Sequence, residues 1–186
     1  GIGKFTTVLN KREYKWWLAM LQRCYGTKST NVRSSYKNVT VCNEWHNFQN
    51  FAEWCEAHEF FNAKDKQGKS YQLDKDILVK GDKTYSPETC CFVPREINNL
   101  LVKPLSHRKG SPTGVCLDKR RNLYAAQVNC FGRIKHLGYY KTSEHAFTVY
   151  KGSKEAHIKD VAEKWKGLVT SRVYLTLVGW EINCED

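Results

Sequence analysis

Two acids flank a lysine at Asp74, Lys75 and Asp76, in the stretch QLDKDILVKGDKTYSPETCCFVPREINNLL from Gln72 to Leu101. An asparagine pair, Asn98 and Asn99, closes the same stretch. This set can serve a cation-dependent centre, or it can be an ordinary hairpin followed by a helix. The alternation in YQLDKDIL puts Tyr71, Leu73, Lys75 and Ile77 on one strand face and Asp74 and Asp76 on the other. Two acids on a polar strand face need no further explanation. Lys75 does, because an unpaired lysine on an apolar face is costly.

A second set lies near the C-terminal end. The turn DKRRN carries Lys119, Arg120 and Arg121 at its tip, suited to phosphate contacts. In NLYAAQVNC, Tyr124, Ala126 and Val128 alternate with Ala125, Gln127 and Asn129. The first three form a small apolar face, and the second three face outward. Gln and Asn side chains can each bond adenine through two contacts. Arg133, Lys135 and His136 extend the basic surface in RIKHLGYY. That strand has no clean alternation, so either Lys135 or His136 could share the outward face. A solvated basic sheet face is the simpler alternative for the whole run.

The elements that must position these residues follow from periodicity and punctuation. YKWWLAMLQRCY sets Trp17, Met20, Leu21 and Cys24 on one helical face, and HNFQNFAEWCEAHEF does the same with Phe48, Phe51, Ala52 and Cys55. GTKSTNVRSSYKN and NAKDKQGKS are polar loops. KGDK turns the chain after YQLDKDIL. SPET is a helix-start signal with room only for a short turn, since CCFVP is strand-like. A helix restarts after Pro94, with Ile97, Leu100 and Leu101 in phase. KPLSHRKGSPTG is the best linker. TGVCLDK, NLYAAQVNC and RIKHLGYY are three strand candidates. KTSEHAFTVYKGSKEAHIKDVAEKW is a helix with Thr142 or Ser143 as cap and a possible break at Gly152. The final RVYLTLVGWEI is apolar and suited to packing on either domain.

The 186 residues carry 30 basic against 19 acidic side chains, a net charge of +11. The sequence pI is 9.3. This excess favours a polyanionic partner, above all nucleic acid. No apolar run approaches the ~18 residues of a membrane span. GIGKFTTVLNKREYK lacks the apolar region of a signal peptide. The expectation is an intracellular protein without a membrane partner, its eight cysteines reduced or metal-bound. No CxxC pair is present.

LDKD…GDKTYSPETCCFVPREIN resembles the HNH (ββα-metal) nuclease segment of many phage homing endonucleases. WWLAMLQRCY, VCNEWHNFQNFAEW and KEAHIKDVAEKW resemble parts that flank it in phage proteins of that kind. The resemblance implies phosphodiester hydrolysis assisted by one divalent cation, magnesium or manganese. It puts the family's aspartate ligand on Asp74 and its helix ligand on Asn98. The position of the histidine base falls on Lys75, and that of the base-orienting asparagine on Thr89. An ordinary lysine is protonated at neutral pH. Three outcomes follow: Lys75 is tuned by burial, or it steadies the phosphate while Asp76 or water on the metal supplies the base, or catalysis has been lost. Cys24, Cys42, His46 and Cys90 recur in the family segments, and thiolates with imidazole could hold a structural zinc. Their spacing is nonstandard, and buried thiols are the preferred account of them.

TGVCLDKRRNLYAAQVNCFGRIKHLGYYKTSEHAFTVY resembles the plant ethylene-response-factor type of DNA-binding domain, which also occurs in phage homing endonucleases. The likeness rests on GV, YAAQV, HLGYY and a helix opening with TSEHA. It implies a three-stranded sheet in the major groove of double-stranded DNA, braced by a helix. Cys116 and Asp118 stand where that family usually has arginines, so the base sequence read must differ.

The expected fold is α+β: an N-terminal HNH-like domain with flanking helices over residues 1–103, a linker over 104–112, and a three-stranded antiparallel sheet packed on a helix over 113–186. The expected function is a site-directed DNA endonuclease, in some cases of this kind a nickase. The alternatives are a noncatalytic DNA-binding protein built on a degenerate nuclease, and an RNA-binding protein using the same basic face.

Overall fold

The computed structural model describes residues 3–26, 38–101 and 111–184. Most of the first polar loop (27–37) and of the expected linker (104–110) lies outside the described residues. The chain is a mixed helix-and-sheet protein and divides into two compact units. One comprises Gly1–Asn99 with Gly167–Val173, the other Leu100–Lys166 with Tyr174–Asp186. The late segment joins the first unit because it is anchored there. The Tyr71 hydroxyl donates to the Leu168 carbonyl at 2.9 Å, and Val169 and Val173 are buried. Among the described residues no helix is long and apolar enough to cross a membrane.

In the first unit, α1 (Lys11–Tyr25) and α2 (Phe48–Ala57) are the two amphipathic helices expected from the sequence. Asn47 caps α2, its side chain accepting from the Gln49 amide at 3.0 Å. A short 3-10 turn, Asn43–His46, presents Trp45. The Trp17 indole donates to the Trp45 carbonyl at 2.7 Å, tying α1 to this turn. Met20, Trp45, Phe51, Phe92 and Ile97 have almost no exposed surface. Each such side chain contributes about 1.5–3 kcal/mol by leaving water.

Two small strand pairs complete the unit. β1 (Thr40–Val41) pairs in parallel with β3 (Thr84–Tyr85). β2 (Gln72–Asp74) pairs antiparallel with β4 (Cys91–Val93), with Leu73 opposite Phe92 and Asp74 opposite Cys91. α3 (Arg95–Leu100) follows directly. The strand expected over YQLDKDIL is shorter than its pattern. It stops at Asp74 because that carboxylate accepts the amides of Asp76 and Ile77, at 2.8 and 3.0 Å, and bends the chain. The alternation of burial nevertheless continues: Tyr71, Leu73, Lys75 and Ile77 are buried and Asp76 is exposed. The chain then turns through Val79–Asp82, closed by the Asp82 amide on the Val79 carbonyl. Gly81 sits there at φ +83, which only glycine adopts freely.

In the second unit, β5 (Val115–Asp118), β6 (Leu123–Cys130) and β7 (Arg133–Tyr140) form an antiparallel sheet in the order β5-β6-β7. α4 (Ser143–Lys164) covers one face, with Ala146, Tyr150, Ile158, Val161 and Ala162 buried. The Thr142 side chain caps it, accepting from the His145 amide at 3.2 Å. No break occurs at Gly152. Glycine costs about 1 kcal/mol in a helix interior, and the buried residues on either side of Gly152 outweigh that. Gly114, at φ +74, lies under the Tyr150 ring; a Cβ there would fall 2.1 Å from a ring carbon. The final apolar run forms α5 (Ser171–Val178), of which 171–173 belong to the first unit and 174–178 to the second.

Candidate functional site

Asp74, Lys75 and Asp76 line one cavity of 210 Å³ together with Asn98, Gln72, Leu73, Tyr85, Trp16 and Arg23. Four elements build it. β2 and the bend after it supply the acids and the lysine. α3 supplies Asn98, β3 supplies Tyr85, and α1 supplies Trp16 and Arg23. The acids and the asparagine are 22 or more positions apart in the chain. The β2–β4 pairing and the immediate start of α3 bring them to one place.

Each polar group has a defined partner. The Asn98 amide nitrogen donates to the Gln72 side-chain oxygen at 2.6 Å. That bond orients the carboxamide and keeps its own oxygen as an acceptor. The Lys75 ammonium is 2.5 Å from Asp76 Oδ1 and 3.1 Å from the Asp82 carbonyl, with the Tyr85 ring 5.9 Å away. Its buried charge is thus matched by a carboxylate and a backbone dipole. Burial pushes the Asp74 carboxyl up to about 6, aided by the negative charge of Asp76; the two backbone amides on Asp74 oppose the shift. The Arg23 guanidinium donates to the Tyr85 hydroxyl at 3.4 Å.

Thr89, the position of the family's base-orienting asparagine, is committed elsewhere. Its hydroxyl donates to the Thr84 carbonyl at 2.7 Å and accepts the Ser86 amide at 3.0 Å, closing the turn around Pro87. Asp82 serves its turn as well, accepting the Thr84 amide at 2.6 Å.

Among the described residues no group of three or more His, Cys, Asp or Glu, the four candidate zinc ligands included, is placed to hold a metal ion. Cys90 is buried against Thr89, and burial pushes its thiol up to about 12. Burial likewise pushes the Cys24 thiol up to about 11 and raises that of Cys42. His46 is exposed and lies beside Tyr25. The cavity offers a different donor set, the Asp74 carboxylate and the Asn98 carboxamide oxygen, with Asp76 held by Lys75. These hard oxygens fit magnesium or manganese rather than zinc.

Lys119, Arg120, Arg121, Gln127, Asn129, Arg133, Lys135 and His136 are all exposed on the second unit. Register decides which of them share a face. Gln127 pairs with His136, Asn129 with Ile134, and Ala125 with Tyr139, all on the sheet face opposite α4. Lys135 pairs with buried Val128, and Arg133 pairs with Cys130, so both belong to the helix side. A bulge at Ala126/Gln127 makes this shift, and it is why β7 shows no simple alternation. Ala125 lies on the outer face as expected but is buried, because its register partners Cys116 and Tyr139 flank a lone methyl.

Sequence reasoning missed Trp16, Arg23, Gln72 and Tyr85. Three of them had a signal. Trp16 and Arg23 are seven residues apart and share a helical stripe. Gln72 shares the Asp74 face of the strand by the period of two. Nothing local marks Tyr85.

What the geometry defines is a mixed α and β chain with an acid-, amide- and arginine-lined cavity in one unit and a helix-backed sheet in the other. No protein-family model matches the chain, and no curated protein or solved structure is significantly similar to it.

Proposed function

We propose that the chain is a metal-dependent DNA endonuclease of the HNH (ββα-metal) type whose second unit holds duplex DNA. The observation that carries this reading is the single cavity shared by Asp74, Asp76 and Asn98 with Lys75 and Arg23. Asp74 and the Asn98 oxygen would hold a magnesium or manganese ion. Bound there, such an ion supplies charge stabilisation to the phosphate and the leaving oxygen. Asp76, exposed at the cavity, is the group to take a proton from the attacking water. Lys75 is fixed by Asp76 and the Asp82 carbonyl, so it acts as a positive charge beside the phosphate rather than as the base. Arg23 adds a second cation on the opposite element. The basic second unit raises the effective concentration of the cavity at DNA. One such centre cuts one strand per event, which makes nicking the expected product.

A noncatalytic DNA-binding protein is the second reading. The lysine in place of a histidine base, with its nitrogen already engaged, favours it. Supercoiled plasmid incubated with the protein and magnesium or manganese separates the two. Nicking that Asp74→Ala reduces by at least about 100-fold, with DNA binding retained, supports the enzyme. Binding without nicking in either ion, on several DNAs, overturns it.

A further inference from the structure

We propose that the outer face of the β5–β6–β7 sheet reads a guanine at one end, through Arg121, and an A·T pair at the other, through Asn129 and Ile134. This rests on the duplex-DNA reading of the second unit.

Its position in the DKRRN turn suits Arg121 to phosphate contact, but its surroundings give it another task. Its Nη1 is 2.7 Å from Asp118 Oδ2. Asp118 is itself fixed, because Oδ1 accepts the amides of Arg120 and Arg121 at 3.0 and 3.2 Å. The guanidinium carbon stands 4.8 Å from the centre of the Tyr139 ring, and Nη1 reaches the Tyr139 hydroxyl at 3.4 Å. Tyr139 is on the outer face, and the His136 ring packs 4.6 Å from it. A guanidinium neutralised by a carboxylate has weakened attraction for phosphate. It keeps its planar fork of donors, and both of these hydrogen bonds engage Nη1. The remaining Nη2 and Nε hydrogens match guanine O6 and N7. Holding the side chain in place before binding reduces the ordering cost. Lys119 and Arg120, exposed and with no such carboxylate pair among the described residues, remain the phosphate contacts of this turn.

At the far end of the face, Asn129 and Ile134 are register partners and both are exposed. Ile134 is 73% exposed on the outer face, beside the polar Asn129. A carboxamide can bond adenine N6 and N7, and an apolar side chain can pack on the thymine methyl. The two groups of one A·T pair lie side by side in the major groove. Five positions of β7 separate Tyr139 from Ile134, about 15 Å along a strand. The base-pair rise is about 3.4 Å, so the two contacts fall on different pairs. The occupant argued for is duplex DNA because the chain carries +11 and this face presents a guanidinium, a carboxamide and an apolar side chain, the groups that match base edges in the major groove.

The test uses the full chain with a chelator, so that no cleavage intervenes. A preferred duplex is selected from a random pool, and its guanines and thymines are replaced singly by 7-deazaguanine and uracil. For one guanine, loss of N7 weakens wild type by about fivefold or more. Arg121→Ala is insensitive to that replacement. For one thymine, loss of the methyl weakens wild type by about threefold. Ile134→Ser is insensitive to it yet still responds to 7-deazaguanine. Both positions are exposed, and circular dichroism checks that each variant folds. The proposal is overturned if the variants respond to the analogues as wild type does. It is also overturned if Arg121→Ala weakens every sequence equally and flattens the salt dependence, the mark of a phosphate contact. If wild type enriches no duplex, or prefers RNA, the duplex-DNA reading itself falls and takes the base assignments with it.

Discussion

Asp74 does two jobs that conflict. Its Oδ1 ends β2 by accepting two amides, and the same carboxylate is the main acidic group of the cavity. Burial raises it from 3.8 to about 6. A carboxyl that holds its proton more tightly when folded stabilises the fold fully below the unfolded value. That contribution is lost as pH rises from about 4 through about 6. Above that window the buried charge costs on the order of 2–3 kcal/mol. Asp74→Asn keeps an acceptor oxygen for both amides and cannot ionise. Without divalent ions it should therefore be more stable than wild type at pH 7.5, and the difference should shrink toward pH 4.5. Denaturant midpoints at the two pH values measure this. A variant less stable than wild type at pH 7.5 removes the desolvation argument. Lys75 belongs to the same scale. The strand pattern identified it as a lysine needing a partner, and the fold supplies Asp76 from the adjacent position and Asp82 from the turn beyond.

At the scale of elements, α4 shows where local propensity yields to packing. Gly152 reads as a break and is none. A Cβ at Gly152 would meet nothing within 4 Å, and its backbone is helical. Gly152→Ala should thus raise stability by about 0.5–1 kcal/mol. Gly114→Ala should do the reverse and cost about 2 kcal/mol or more, since Tyr150 occupies the space and the φ is left-handed. Thermal unfolding of the two variants should move in opposite directions, and equal shifts would refute this account. The first unit follows the same rule. Its helices α1 and α2 were visible as amphipathic stripes, whereas the parallel β1–β3 contact was not. Two-residue strands carry no periodicity, and this pair joins Thr40 to Thr84 across the whole middle of the unit.

For the whole molecule, the +11 charge favours a polyanion, and the number of phosphates its side chains neutralise sets the salt response of a nucleic-acid complex. Removing one side chain that binds a phosphate should flatten the slope of log affinity against log salt by about 0.9. Lys119→Ala with Arg120→Ala should flatten it by about 1.8, whereas Arg121→Ala, already paired with Asp118, should change it far less. Binding measured between 50 and 200 mM salt, roughly the range over which such slopes are read, tests this. An unchanged slope in the double variant removes the turn from the interface.

The sequence by itself determined the composition of the interior and the sites of most elements. Alternation and helical spacing are local, and they name which side chains must leave water. It also marked Asp74, Lys75, Asp76 and Asn98 as a possible set. Only the tertiary structure decided that they share a cavity, that Trp16, Arg23 and Tyr85 join them, and that Cys24, Cys42, His46 and Cys90 do not form a group. It likewise decided that His136, not Lys135, shares a face with Gln127. The physical reason is common to all of these. A contact between distant residues depends on register, on one bulge and on where each strand stops, and these are fixed by the free energy of the assembled unit rather than by any local pattern.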